Sequence, residues 1–199
     1  MRSYPSDPAA AAVVAALDSD PFYVTITAAY QHAPEQRRAV LAAYFAYSIA
    51  EGVEVGRCVR LQDQAAGVAV WLLPQSRRRQ TEVRHRKAEF LQSTLGERGY
   101  RSYQQIVDYM KQKADPIVRG DAWYLSIVGV DPRSQGRGFG QQLLAPTLSE
   151  ADQAGAMCYL ETFAIRNVSF YERLGFVARG LIPEPTTGAE YTLLIRNPK

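Results

Sequence analysis

The sequence predicts one α/β domain organised on a mixed β-sheet, and three observations carry that expectation. An apolar run, AWYLSIVGV at 122–130, stops at Asp131-Pro132, passes through the glycine-rich QGRGFG turn and enters the helical pattern QQLLAPTLSEADQAG. Upstream, VEVGRCVRL (53–61) and GVAVWLLP (67–74) are strand-like segments separated by QDQAA, the pattern of an antiparallel hairpin. Along the chain the coarse order reads α, α, β, β, α, α, β, α, β, α, β, β, without internal repeats or low-complexity linkers. Such an order sets helices against a sheet of mixed strand direction.

Each element has a local reason. Residues 8–18 form a short helix with Asp7 as N-cap and Pro8 at the first helical position. Segment 19–30 is aromatic and irregular. Residues 34–51 make a helix whose Val40, Leu41, Tyr44, Phe45, Tyr47 and Ile49 form a broad apolar face, with Gly52 as its stop. Segment 75–118 is helical in pattern, interrupted at Gly96 and Gly99 and ended by Pro116 and Gly120. After the 122–130 strand, the helix at 139–153 must absorb Pro146 by a kink or a lost hydrogen bond. MCYLETF (157–163) alternates like a strand, 168–174 is a short helix closed by Gly175, and strands at 176–181 and 189–196 flank the turn PEPTTG.

Composition excludes several function classes. The chain has 199 residues, 47% hydrophobic and 22% charged, enough for a sizeable core. No apolar run approaches the roughly 18 residues of a membrane helix. The alanine-rich start lacks a leucine-rich segment and runs into Asp18 and Asp20, so it reads as a helix rather than a signal peptide, with the cytoplasm as default compartment. Cys58 and Cys158 are too few for a disulfide framework or a metal site and read as buried free thiols. A net charge of +3 gives no argument for nucleic acid. The basic run SRRRQTEVRHRK (76–87) lacks interleaved aromatics and reads as a solvated helix face.

The chemistry-bearing feature is the glycine turn. A strand feeding such a turn at the start of a helix converges backbone N–H groups and the helix dipole on one anion site. It is not a P-loop, because Phe139-Gly140-Gln141 replaces Gly-Lys-Ser/Thr. Nor is it the dinucleotide fingerprint: the spacing is G-x-G-x-G and comes late in the chain. The alternative is a glycine-rich connection without a ligand.

The ordered pair strand–QGRGFG–helix and, about 30 residues later, NVSFYERLGF resembles the GNAT superfamily of acyl-CoA-dependent N-acetyltransferases. The family's Gln/Arg-x-x-Gly-x-Gly/Ala motif is met by Gln135, Gly138 and Gly140. LETFAIRNVSFYERLGF, VGVDP and VAVWLLP are most similar to the puromycin N-acetyltransferase-like subgroup. The resemblance spans roughly 53–195 and is strongest over 122–180; the family's usual first strand is not evident before residue 50. It implies a GNAT fold, with a mixed sheet of about six to seven strands splayed at the acetyl-CoA site. The single domain 1–199 would comprise a helical part (1–52), a helical insert lining the acceptor site (75–120) and an acetyl-CoA core (122–180).

The resemblance also implies site roles. The backbone of Val128, Gly129 and Val130 would pair with pantetheine as an added strand. Gln135 and the amides of Gly136, Arg137, Gly138, Phe139, Gly140 and Gln141 would hold the pyrophosphate, with Arg137 adding charge. Tyr171 matches the family tyrosine that protonates the leaving thiolate as general acid; the alternative is a core tyrosine. Asn167 stands four residues before it, whereas the commoner pattern has Asn seven before, at Ala164 here; it either contacts pantetheine or caps the helix. Glu161 resembles the catalytic glutamate and would act as base directly or through water, unless it is a structural carboxylate. His32 and His85 are the other base candidates, outside any motif.

Tyr23, Tyr30, Tyr44, Tyr47, Tyr100 and Tyr103 are candidate acceptor-pocket walls, suiting a small hydrophobic or aromatic primary amine better than a polycation. The cysteines sit in no nucleophile context, which points to direct attack without a covalent enzyme intermediate. Rival readings are a non-catalytic CoA-sensing module and an acetyltransferase acting on protein N-termini or lysines. No nucleic-acid, membrane or metal partner is expected, and assembly as a homodimer stays open.

Overall fold

A computed structural model describes residues 7–63 and 66–199. Its helices are α1 (Pro8–Leu17), α2 (Pro21–Ile26), α3 (Pro34–Val55), α4 (Arg77–Ala114), α5 (Phe139–Gln153) and α6 (Val168–Arg173). Its strands are β1 (Gly56–Arg60), β2 (Gly67–Leu72), β3 (Trp123–Val130), β4 (Cys158–Thr162), β5 (Val177–Glu184) and β6 (Ala189–Arg196). The strands form one six-stranded sheet in the order β1-β2-β3-β4-β6-β5, with β3–β4 the parallel pair in an otherwise antiparallel arrangement. No helix among the described residues is long and apolar enough to cross a membrane.

Apolar side chains on the two sheet faces set the layers. Val68 and Val70 of β2 pack with α1–α4, whereas Ala69 and Trp71, the alternate residues of the same strand, pack with α5. This is the period of two that a doubly covered strand requires. β3 changes sides partway. Its register against β2 pairs Leu125 with Trp71 and Ile127 with Val70, which leaves Ser126 as an extra residue. The bulge turns the strand: Trp123 and Leu125 join the α5 cluster, and Ile127 joins the α1–α3 cluster.

The second consequence for the site is a split sheet. β3 and β4 pair only at Trp123↔Cys158 and Tyr124↔Tyr159. Beyond Tyr124 they part, and β3 continues to Val130 with no strand partner on that side.

Several sequence expectations need correction. Segment 19–30 is regular, not irregular: Asp20 caps α2 by accepting from the Phe22 N–H at 2.9 Å, Pro21 starts the helix, and a 3₁₀ turn follows at Ala28–Tyr30. Gly52 does not stop α3. It lies buried in the helix, where a Cβ would stand 2.6 Å from Val70 Cγ1, so its small size lets α3 lie on β2. Consequently α3 runs on to Val55, and β1 starts at Gly56 rather than residue 53. β5 extends past Leu181 to Glu184, whose carboxylate accepts from the Thr186 and Thr187 N–H groups and tightens the turn. The hairpin connection at 64–65 and the first six residues lie outside the described residues. α5 keeps the expected bounds, with Pro146 inside it, and Gly96 (φ 70°) breaks α4 as its position suggests, but Gly99 does not: it is helical and buried, where a Cβ would stand 2.4 Å from the Ile26 carbonyl oxygen.

Candidate active site

The glycine turn takes the shape its residues favour. Asp131 caps a 3₁₀ turn at Pro132–Ser134, accepting from the Arg133 backbone N–H at 2.8 Å and from its guanidinium. Those bonds hold the Asp131 carboxyl down at about 2. Gln135 then donates its side-chain amide to the Val130 carbonyl at 3.0 Å, tying the turn to the end of β3. Gly136 and Gly138 both sit at φ 77°, a conformation that side-chain-bearing residues rarely adopt, and a Cβ at either would meet open space. Gly138 is the N-cap of α5, with no side chain satisfying the first amides and no acidic residue in the first turn. Arg137 is exposed beside them. Gly140 faces Phe170 of α6, 3.0 Å from where its Cβ would be.

Where β3 and β4 part, a cleft of about 590 Å³ opens. Groups from both sheet faces reach it. Tyr171 arrives from the α5–α6 face, only 5% exposed, with its ring edge-on to Phe170 (5.1 Å) and Phe176 (6.0 Å). Burial, with the charge of Asp20 added, raises its phenol far above the ordinary tyrosine value. Glu161 arrives from the opposite face of β4. Burial pushes its carboxyl up to about 7, against the hydrogen bond from Tyr124, and its Oε2 is buried without a protein partner. Tyr124 and Tyr159 stack over one another at 4.7 Å, and burial, with the charge of Glu161 added, raises both phenols as well as that of Tyr191, whose own hydroxyl is buried without a partner among the described residues. Glu161 is thus ringed by phenols, which keeps its carboxyl largely out of bulk water.

The other sequence candidates divide cleanly. Val128 and Asn167 line the cleft. Asn167 is the residue before α6 but makes no side-chain capping bond, so the capping alternative is not observed. Gly129 and Val130 lie on the stretch of β3 that pairs with β2 but not with β4, where Gly129 lets α1 approach: a Cβ would stand 3.1 Å from Val13 Cγ2. Of the six wall tyrosines, Tyr23, Tyr44 and Tyr103 line the cleft; Tyr30, Tyr47 and Tyr100 do not, Tyr47 being buried in a stack on Phe90 at 4.2 Å. His32 is exposed on a turn and His85 pairs with Glu89 on the outside of α4, so neither serves the cleft. Cys158 is buried and Cys58 partly so, burial raises both thiols, Cys158 to about 12, and neither lines the cleft. The basic run is not wholly solvated: Arg84 and Lys87 line the cleft, and Lys87 pairs with the buried Glu51 at 2.7 Å.

Asp20, Tyr124 and Tyr159 are cleft residues that the sequence reading missed. For Asp20 a signal existed, because Asp20-Pro21 repeats the Asp7-Pro8 capping pair.

Fold and site define a mixed α/β protein with a split sheet, an open helix N-terminus at one end of the split and two buried proton-carrying groups in it. Residues 98–178 match the acetyltransferase (GNAT) domain model. A protein of Schizosaccharomyces pombe named as an uncharacterized N-acetyltransferase is 28% identical over 174 residues, 85% of this chain and 69% of its own. A crystal structure of histone acetyltransferase HPA2 and related acetyltransferase from Corynebacterium glutamicum matches 100% of this chain and 95% of its own at TM-score 0.63 and 21% identity. A polyamine N-acetyltransferase of Drosophila melanogaster matches 76% of this chain and 79% of its own at TM-score 0.56 and 14% identity. At such identities the two structural likenesses speak for the fold alone. Over residues 98–178 the chain is thus similar to GNAT acetyltransferase domains, and over most of its length to a protein named as an N-acetyltransferase.

Proposed function

We propose that this enzyme moves the acetyl group of acetyl-CoA to the primary amine of a small molecule by direct attack. The observation that carries the reading is the parting of β3 from β4 after Tyr124, which lets Tyr171 and Glu161 reach one cleft from opposite faces of the sheet. The residues at the turn fit the donor. Amides of Gly136, Arg137, Gly138, Phe139, Gly140 and Gln141 would hold its pyrophosphate, since no side chain caps that helix end and no Cβ crowds the two left-handed glycines. The free edge of β3 at Val128, Gly129 and Val130 would hold the pantetheine arm, with Asn167 across the cleft. When bound, acetyl-CoA supplies an activated thioester.

The chain's own groups then handle protons. Tyr171 keeps its phenolic proton well past neutrality and gives it to the departing sulfur. Glu161, with a carboxyl near 7, takes the amine's proton at its unpartnered Oε2, directly or through a water. Both cysteines lie away from the cleft, in keeping with direct transfer. An aromatic cleft also lined by α4 suits a small molecule better than an extended peptide. The test is release of free CoA thiol across a panel of primary amines. Tyr171→Phe should lower kcat by about 10²–10³-fold with acetyl-CoA binding retained; wild-type turnover in that variant would remove Tyr171 from the chemistry.

A further inference from the structure

Asp20 holds a carboxylate in the cleft wall. It lies between α1 and α2, and one oxygen is committed to the Phe22 N–H, which fixes the side chain against the backbone. The other oxygen has no hydrogen-bond or ion-pair partner among the described residues, and Asp20 lines the cleft. Around it the wall is aromatic. Phe22 meets Tyr23 edge-on at 5.1 Å and Tyr103 at 6.0 Å, and Tyr23 meets Tyr44 at 5.6 Å. A carboxylate in such a wall is costly unless a cation completes it, and aromatic faces attract the same cation.

The acids that pair with the cleft's Lys87, Lys111 and Arg119 are already answered. Glu51 holds Lys87, Asp115 holds Lys111 at 2.5 Å, and Asp121 holds Arg119 at 2.6 Å. Arg84 lines the cleft with no acidic partner among the described residues. A ligand with one positive charge finds a place beside Asp20; on the α4 side of the cleft a second positive charge meets Lys87 and Lys111, already paired, and the guanidinium of Arg84, which leaves Glu161 on β4 as the other carboxyl in the cleft without an ion-pair partner among the described residues. Tyr23 and Tyr171 are the titratable groups that feel the Asp20 charge. Burial lifts the Asp20 carboxyl to about 6, against the Phe22 N–H, so most of it is ionised at neutral pH.

We propose that Asp20 is the acceptor-recognition residue: its free carboxylate oxygen takes the ammonium of a monoamine carried on an apolar or aromatic skeleton, and polyamines are disfavoured. The proposal rests on the amine-acetylation reading above and adds the acceptor's class. Calorimetric titrations near neutral pH, with and without CoA, compare 2-phenylethylamine, its uncharged analogue 2-phenylethanol and spermidine on wild-type and Asp20→Asn protein. Asn keeps an N-cap oxygen, as does a second variant, Asp20→Ser, so α2 is retained in both. The amine should bind the wild type more tightly than either other compound. Asp20→Asn should weaken it about 10- to 100-fold, the loss of a charge-assisted hydrogen bond, and leave the alcohol unchanged. Equal losses for amine and alcohol, no loss in either variant, no wild-type preference for the amine, or spermidine binding as tightly would each overturn it. Because the readout is equilibrium binding, a protein that selects the amine but transfers no acetyl group would contradict the reaction and leave Asp20's role standing.

Discussion

Glu161 carries the sharpest residue-scale prediction. Its carboxyl is held near 7 by burial, so the basic form appears only as pH rises through that value. Acetyl transfer should therefore fall on acidification through about 7, and Glu161→Gln should lower kcat about 10²-fold or more and abolish that limb of the profile. Stability should respond in the opposite sense. The folded protein binds this proton more tightly than the unfolded chain, so wild-type stability is lost as pH rises from the ordinary value of 4.5 toward 7. The Gln variant lacks that slope, and its advantage in melting temperature should grow with pH across that window. Identical pH dependence in the two proteins would show that Glu161 does not titrate there.

At the scale of the element, the glycine inside α3 is the point at which helix and sheet are fitted together. Gly52→Ala would place a methyl 2.6 Å from a Cγ of Val70, itself fully buried in β2, and neither partner has room to retreat. The cost should be about 1–3 kcal/mol, seen as a fall of several degrees in melting temperature; an unchanged melt would mean that α3 does not rest on β2 at this point. The same glycine shows what sequence reading reaches and what it does not. β6, α5, the α1 cap and the glycine turn were legible because their signals are local: an alternating run, a capping pair, a strand–turn–helix string. The true end of α3 was not, since Gly52 answers to Val70, distant in the chain and adjacent only after folding. α2 was missed although Asp20-Pro21 announces it, because its aromatic residues mask any helical period. In the site, Tyr171 and Glu161 were legible through family likeness. Asp20, Tyr124 and the inward turn of Lys87 depend on how three separate elements close on the cleft.

The whole molecule works through one irregularity, the β3–β4 pairing that ends after Tyr124. The split leaves β3 a strand edge free on the β4 side, where the proposed donor would lie, ends at an uncapped helix, and admits a phenol from one layer and a carboxylate from the other. Its most direct test is a thermal melt with acetyl-CoA, with NAD and ATP as controls. A ligand at about 100 times its Kd adds about 2.7 kcal/mol of apparent stability, a rise of several degrees. The account predicts that rise with acetyl-CoA and none of similar size with the controls. No rise at millimolar acetyl-CoA, or an equal rise with NAD and ATP, would contradict it.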